Sequence, residues 1–178
     1  MSQINWMLKA CNMKILDFSL NDTNGGSIVV YASKKTSSIR ENIKKINKFL
    51  IKEKNNGFLK TNYWDSFKKK TNSNIAKIKD FLKKIQNNNQ IIIGLGASTK
   101  GNVLLQYLNI SPNQVLAIGE VNKEKFNKYT PGSNIPIIPE DKALSMNADY
   151  YLILPWHFKE FFISNKKFKH KNLVFPLP

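Results

Sequence analysis

The chain is short of the residues that build disulfides and cysteine-ligated metal centres. Its 178 residues include one cysteine, Cys11, which makes no internal bridge and no cysteine-cluster zinc site. Nowhere do about 18 apolar residues run together, so no membrane-spanning helix is expected. The opening Met1-Ser-Gln-Ile-Asn-Trp6 has no basic stretch followed by an apolar one, so no secretory signal is read. A reducing, cytoplasmic setting is therefore expected. Arginine is almost absent: of 28 Lys+Arg, only Arg40 is arginine. Acidic residues number 12, which leaves a formal charge of +16. So basic a chain suggests nucleic acid or an anionic surface. Against this, a protein that clamps phosphates or reads bases is expected to use arginine as well. The lysines are scattered, and lysine, asparagine and isoleucine are the residues that an AT-rich genome favours. The excess reads as a solvated surface that attracts an anionic ligand, and nucleic acid is disfavoured.

What the chain has is an ordinary apolar share, 42%, enough for a real core in one domain with room for a fragment of another. Ile4, Met7, Leu8 and Cys11 share one helical face, so residues 3–12 read as a short helix. Lys14 to Leu20 alternates and reads as a strand. Asn21-Asp-Thr-Asn-Gly-Gly26 is turn chemistry, and Ile28-Val-Val-Tyr-Ala32 is a second strand. A lone hairpin is marginal in water, so this part is expected to pack on a pair of long helices. Those helices are read at Ser38 to Glu53, with Ser37 or Ser38 as N-cap, and at residues 62–86. From Gln90 strands alternate with helices: Ile91–Gly96, then Thr99 to Leu108, Gln114 to Val121, Pro136–Ile138, Pro139 to Met146, Asp149–Pro155, His157 to Ser164 and Asn172–Pro176. Alternation of this kind argues for a parallel sheet with helices on both faces. The fold class is α/β: a Rossmann-like, mainly parallel sheet with flanking helices, preceded by two long helices and an N-terminal helix plus β-hairpin. The divisions expected are residues 1–35, a helical connector at 36–88 packing on both parts, and the Rossmann-like domain at 89–178.

Chemistry concentrates where the first of these strands meets its helix. Gly94-Leu-Gly96-Ala-Ser98-Thr99-Lys100-Gly101-Asn102 combines turn-forming glycines, helix-start amides, two hydroxyls and a cation, which suits a phosphate, pyrophosphate or carboxylate. The spacing is neither the strict dinucleotide fingerprint nor a P-loop, because the third glycine falls late and comes after Lys100. Glu120 ends the second strand, where dinucleotide folds place an acidic ribose acceptor; a solvated carboxylate is the plainer alternative. Lys125 and Lys128 precede the Pro131-Gly132 turn and are placed to reach a phosphate. Trp156 and His157 come after the third strand, where they would stack on a base or sugar or serve as packing and helix-start residues.

Together these blocks resemble the C-terminal domain of bacterial NDP-sugar C-methyltransferases. The resemblance rests on Gly94–Asn102, on Glu120 with Lys125–Ser133, and on Asp149-Tyr-Tyr-Leu-Ile-Leu-Pro-Trp156, in that order. Family members carry Asp at the position of Glu120 and Arg at that of Lys128, and both changes keep the charge. Trp6 to Tyr31, with Gly25-Gly26-Ser27, resembles the last helix and strand pair of the family's methyl-donor domain. There the family has His at Asn24 and Arg at Val29. The family's zinc-binding segment, its donor-binding glycine motif and its Tyr/Glu/His catalytic segment would all lie before residue 1. The resemblance therefore implies the nucleotide-sugar-binding portion of an enzyme dependent on S-adenosylmethionine, not catalytic alone, with no cofactor or metal held by this chain itself. It implies a TDP-type nucleotide-linked deoxysugar as ligand and a separate N-terminal half as partner. The competing expectations are a non-catalytic module for another phosphorylated ligand and a basic nucleic-acid-binding protein. The implied ligand-binding set is Gly94, Gly96, Ser98, Thr99, Lys100, Gly101, Asn102, Glu120, Lys125, Lys128, Pro131, Gly132, Trp156 and His157, with no catalytic residue among them.

Overall fold

A computed structural model describes residues 1–177. The chain divides into two compact units, Met1–Lys70 and Thr71–Pro178. The boundary between them falls inside a helix, Thr61–Asn87.

The first unit opens with α1 (Ser2–Ala10), then the antiparallel strands β1 (Met13–Asn21) and β2 (Ser27–Lys34). Three residues of the intervening turn have positive φ: Asn24 at 55°, Gly25 at 82° and Gly26 at 122°. Ile15 and Phe18 of β1 and Ile46 of α2 (Ile43–Asn55) form a small core, with Leu8, Ile28, Val30, Phe49 and Leu50 against it. The hairpin thus packs on α1 and α2, which supplies the apolar cover that two strands alone lack. The helix α2 begins at Ile43, not Ser38, because the Asn42 side chain accepts the Lys45 amide and caps it there. Glu53, near its end, accepts both the amide and the hydroxyl of Ser2, at 2.8 and 2.5 Å.

Helix α3 (Thr61–Asn87) crosses the division, and its Leu82 and Ile85 belong to the core of the second unit. The remaining elements are β3 (Ile92–Leu95), α4 (Thr99–Leu108), β4 (Ile118–Glu120), β5 (Ile137–Pro139), α5 (Glu140–Ser145), β6 (Tyr150–Ile153), α6 (Lys159–Ser164) and β7 (Leu173–Val174). All five strands run parallel, in the order β5-β4-β3-β6-β7. Side chains alternate across the sheet, as strand geometry requires. Ile92, Ile118, Leu152 and Leu154 meet Leu82, Ile85, Leu104, Leu105 and Leu108 on one face. Ile93, Leu95, Tyr151 and Ile153 meet Ala143, Phe162 and Phe168 on the other. Burying each of these large side chains contributes roughly 1.5–3 kcal/mol. Starting from β3 the chain first moves to β4 and β5, then crosses to β6 on the opposite side. That reversal opens a crevice at the carboxyl ends of β3 and β6, where open α/β sheets hold ligands.

Candidate functional site

A cleft of about 310 Å³ lies at this carboxyl edge. The turn after β3 supplies Gly96 and Ser98, the end of β4 supplies Glu120 and Val121, and Lys125 comes shortly after. Pro155, Phe158, Phe161, Phe162 and Phe168 form the apolar part, with Glu140, Asn165 and Lys167 at the rim.

The turn itself is held together from inside. Gly96 has φ +79°, the left-handed conformation that glycine adopts without strain. Its amide donates to Gly119 O at 2.7 Å, and the Ser98 amide to Gly96 O at 2.7 Å. Ser98 caps α4, its hydroxyl accepting the Gly101 amide at 3.0 Å, while the Asn102 amide donates to Ser98 O. The Ala97 amide donates to Glu120 Oε2 at 2.8 Å. The turn's amides at Gly96, Ala97, Ser98, Gly101 and Asn102 are therefore already used within the protein. An anion at this corner must be held by side chains and by the field of the helix start. Thr99 and Lys100 stand exposed on that first turn.

The glycines are packing residues as much as turn residues. A Cβ on Gly94 would lie 2.4 Å from Ile118 Cδ1, and one on Gly101 2.6 Å from Leu154 Cβ. On Gly96 it would meet Pro155 Cδ at 2.7 Å. The space that each glycine leaves is filled by the protein, so strand and helix close on each other.

Glu120 is only 7% exposed. Its Oε1 accepts the amides of Val121 and Asn122 at 2.8 and 2.9 Å, and its Oε2 also lies 3.5 Å from Lys125 Nζ. Burial on its own would raise this carboxyl. The amides of Asn122 and Val121, the Lys125 ammonium and the Ala97 amide outweigh it and hold the group below the ordinary glutamate value. Lys125 donates in turn to Ala97 O at 2.9 Å. A carboxylate offers about four lone-pair positions, and these are taken. At the rim, Lys167 pairs with Glu140 at 2.6 Å and Asp141 at 2.7 Å. Those two partners raise its ammonium above the ordinary lysine value.

Of the residues singled out by sequence, Gly96, Ser98, Glu120 and Lys125 line the cleft. Gly94 and Gly101 are buried and do not line it, and Asn102 sits on α4 with a buried Oδ1 that has no hydrogen-bond partner. Pro131 and Gly132 lie against α4 further along, where Gln106 Nε2 donates to Pro131 O at 3.0 Å. Lys128 is exposed and its carbonyl accepts the Ile137 amide at 2.8 Å. Trp156 packs against the core on the α3–α4 face of the sheet. His157 has a buried Nδ1 with no partner, and burial, with Lys100 nearby, pushes its imidazole below the ordinary value. The cleft's aromatic wall comes instead from Phe158 and Phe161, 50% and 56% exposed, which sequence reasoning passed over. The signal was present: two phenylalanines three apart on one helical face, just past the end of a buried strand.

Residues 22–178 match the family model of the C-methyltransferase C-terminal domain. The chain is also similar to the C-methyltransferase NovU of Streptomyces niveus, at 26% identity over 175 residues. That similarity covers 97% of this chain but 41% of the relative, so the chain spans about two fifths of its length.

Proposed function

This chain belongs to the C-methyltransferase family through its C-terminal domain, and from that premise we propose that it binds the nucleotide-linked deoxysugar of such an enzyme. The ligand sits in the cleft at the carboxyl ends of β3, β4 and β6. The observation that carries this reading is the make-up of the cleft, in which Phe158 and Phe161 share the lining with Gly96 and with Ser98, the N-cap of α4. A flat base suits the two rings, and a diphosphate suits the Ser98 corner and the helix dipole, with Thr99 and Lys100 exposed on the adjoining turn outside the lining.

The engaged state of Glu120 favours a thymidine-type nucleotide. A ribonucleoside brings two ribose hydroxyls that need acceptors, and the buried carboxylate of this cleft has none to spare. A deoxyribose makes less demand. The same reasoning counts against S-adenosylmethionine, a ribonucleoside, as the ligand of this cleft. In the proposed division of labour, the base that removes a proton beside the sugar ketone lies outside this chain's span. A carboxylate held below its ordinary value, as Glu120 is, is a weak base. Nucleic acid gains no support from the cleft, because Lys125 and Lys167 are paired there to Glu120 and Glu140. No helix among the described residues is long and apolar enough to cross a membrane. Cys11 is an exposed free thiol, and a reducing, cytoplasmic setting is part of the proposal.

Thermal-shift titration tests the reading. TDP or a TDP-sugar raises the melting temperature, S-adenosylmethionine does not, and Phe161→Ser removes the TDP response while the unliganded chain melts where the parent does. A chain indifferent to TDP, or a Phe161→Ser variant with the parent's response, overturns it.

A further inference from the structure

The first unit ends in aromatic residues set among lysines, Phe58-Leu-Lys60-Thr-Asn-Tyr63-Trp64-Asp-Ser-Phe67-Lys68-Lys-Lys70. Four rings meet edge to face in a row. Their centroids lie 4.8 Å apart from Phe58 to Tyr63, 5.3 Å from Tyr63 to Trp64 and 6.0 Å from Trp64 to Phe67. The Trp64 indole donates to Phe58 O at 2.8 Å, so the cluster is held in place. It is not a core, because Leu59, Trp64 and Phe67 are 68%, 54% and 56% exposed. A groove of about 470 Å³ is lined by Tyr63 and Phe67 together with Lys60, Lys70, Asn62 and Ser66.

The charge around the patch identifies its partner. Lys70 follows Phe67 by three positions and Lys68 follows Trp64 by four, so ammoniums flank the ring face of α3. Asp65, the one carboxylate of the stretch, falls on the far side of the helix. Among the described residues none of Lys60, Lys68, Lys69 and Lys70 is in an ion pair. Lysine stems cover apolar surface while their ammoniums stay in water, and an apolar face with cationic flanks suits a helix lying in a bilayer surface. We infer that this patch docks the chain on an anionic phospholipid surface. Leu59, Trp64 and Phe67 enter the acyl boundary, and a lipid phosphate sits in the groove at Lys60 and Lys70. A protein partner suits the patch less, since lysine is depleted in the core of protein interfaces, and a second copy brings the same cations. Stacked bases need open ring faces, whereas these rings are turned edge to face on one another at 76–85°. The inference is independent of the ligand of the cleft.

Co-sedimentation of the full chain with lipid vesicles is the test. The chain pellets with phosphatidylglycerol vesicles and not with phosphatidylcholine vesicles, and the binding weakens as salt rises. Phe67→Gln binds phosphatidylglycerol roughly tenfold or more weakly, the loss expected for one buried ring, while its melting temperature stays with the parent's. Lys60→Gln with Lys70→Gln weakens binding more than Lys34→Gln with Lys35→Gln, which removes the same charge from exposed positions elsewhere. Equal binding to both vesicles, binding to neither, or a parent-like affinity in Phe67→Gln overturns the inference. So does a loss at Lys60 and Lys70 no greater than that of the control pair. Tighter binding to a single-stranded oligonucleotide that Phe67→Gln abolishes assigns the patch to nucleic acid and likewise overturns it.

Discussion

The carboxylate of Glu120 accepts the backbone amide of Ala97 at 2.8 Å and so ties the end of β4 to the turn after β3. Lys125 closes the clasp from the other side through Ala97 O. The turn is held before any ligand arrives.

Glu120→Ala strands the amides of Ala97, Val121 and Asn122. Hydrogen bonds to a charged group contribute about 1.5–3 kcal/mol each, and water recovers part of the loss, so a net destabilisation of about 2–4 kcal/mol is expected. Chemical denaturation reads this as a lower midpoint with an unchanged slope. A midpoint equal to the parent's refutes the clasp.

Acid sensitivity arises from the same group. The folded-state value of Glu120 lies below the 4.5 of a free glutamate. Its contribution is thus fully present above that pH and is lost as the pH falls through the lower, folded value. The sign is that of a stability rising with pH in the acid range. Replacement by glutamine flattens this limb of the stability-pH curve, and an equally steep limb in Glu120→Gln would assign it to other carboxylates.

Two glycines separate crowding from backbone strain. Gly101→Ala drives a methyl to 2.6 Å from Leu154 Cβ and is expected to cost about 1–3 kcal/mol by overpacking. Gly26→Ala meets nothing within 4 Å but sits at φ +122°, so it carries strain alone. Melting temperatures in a double-mutant cycle distinguish the two costs, because Leu154→Gly, which removes the clashing Cβ, lowers the cost of the first and not of the second.

Lys100→Ala is expected to weaken the thermal response to TDP, since the cation stands on the first turn of α4. Trp156→Phe is expected to leave it unchanged, since that ring packs on the core away from the cleft. Equal loss in both variants would place the ligand on the other side of the turn.

Much of the architecture is legible in the residues alone. The change from long lysine-rich helices to alternating strands and helices near Gln90 announces the parallel sheet, and α4 spans Thr99–Leu108 as its apolar spacing indicates. β4 is shorter than its β-branched run suggests, because Gln114 and Val115 donate back to Ser111 O before pairing begins. The start of α2 moves because Ser37, Ser38 and Asn42 are all competent caps, and tertiary packing chooses among them. The site is less legible. Gly94 and Gly101 look like ligand-facing glycines until Ile118 and Leu154 are seen beside them. Trp156 and His157 attract attention by chemical type, whereas Phe158 and Phe161 do so only by position.

The filled spaces at Gly94, Gly96 and Gly101 bear on how such sequences diverge. A residue kept for close packing is under the same selection whether or not a ligand is ever bound. A descendant that had lost its nucleotide would still preserve all three glycines, as the cost of replacing them falls on folding. Thr99 and Phe161 carry no such obligation and would drift first. In a comparison of descendants, the glycine pattern dates the fold, and these exposed neighbours record whether the site is still in use.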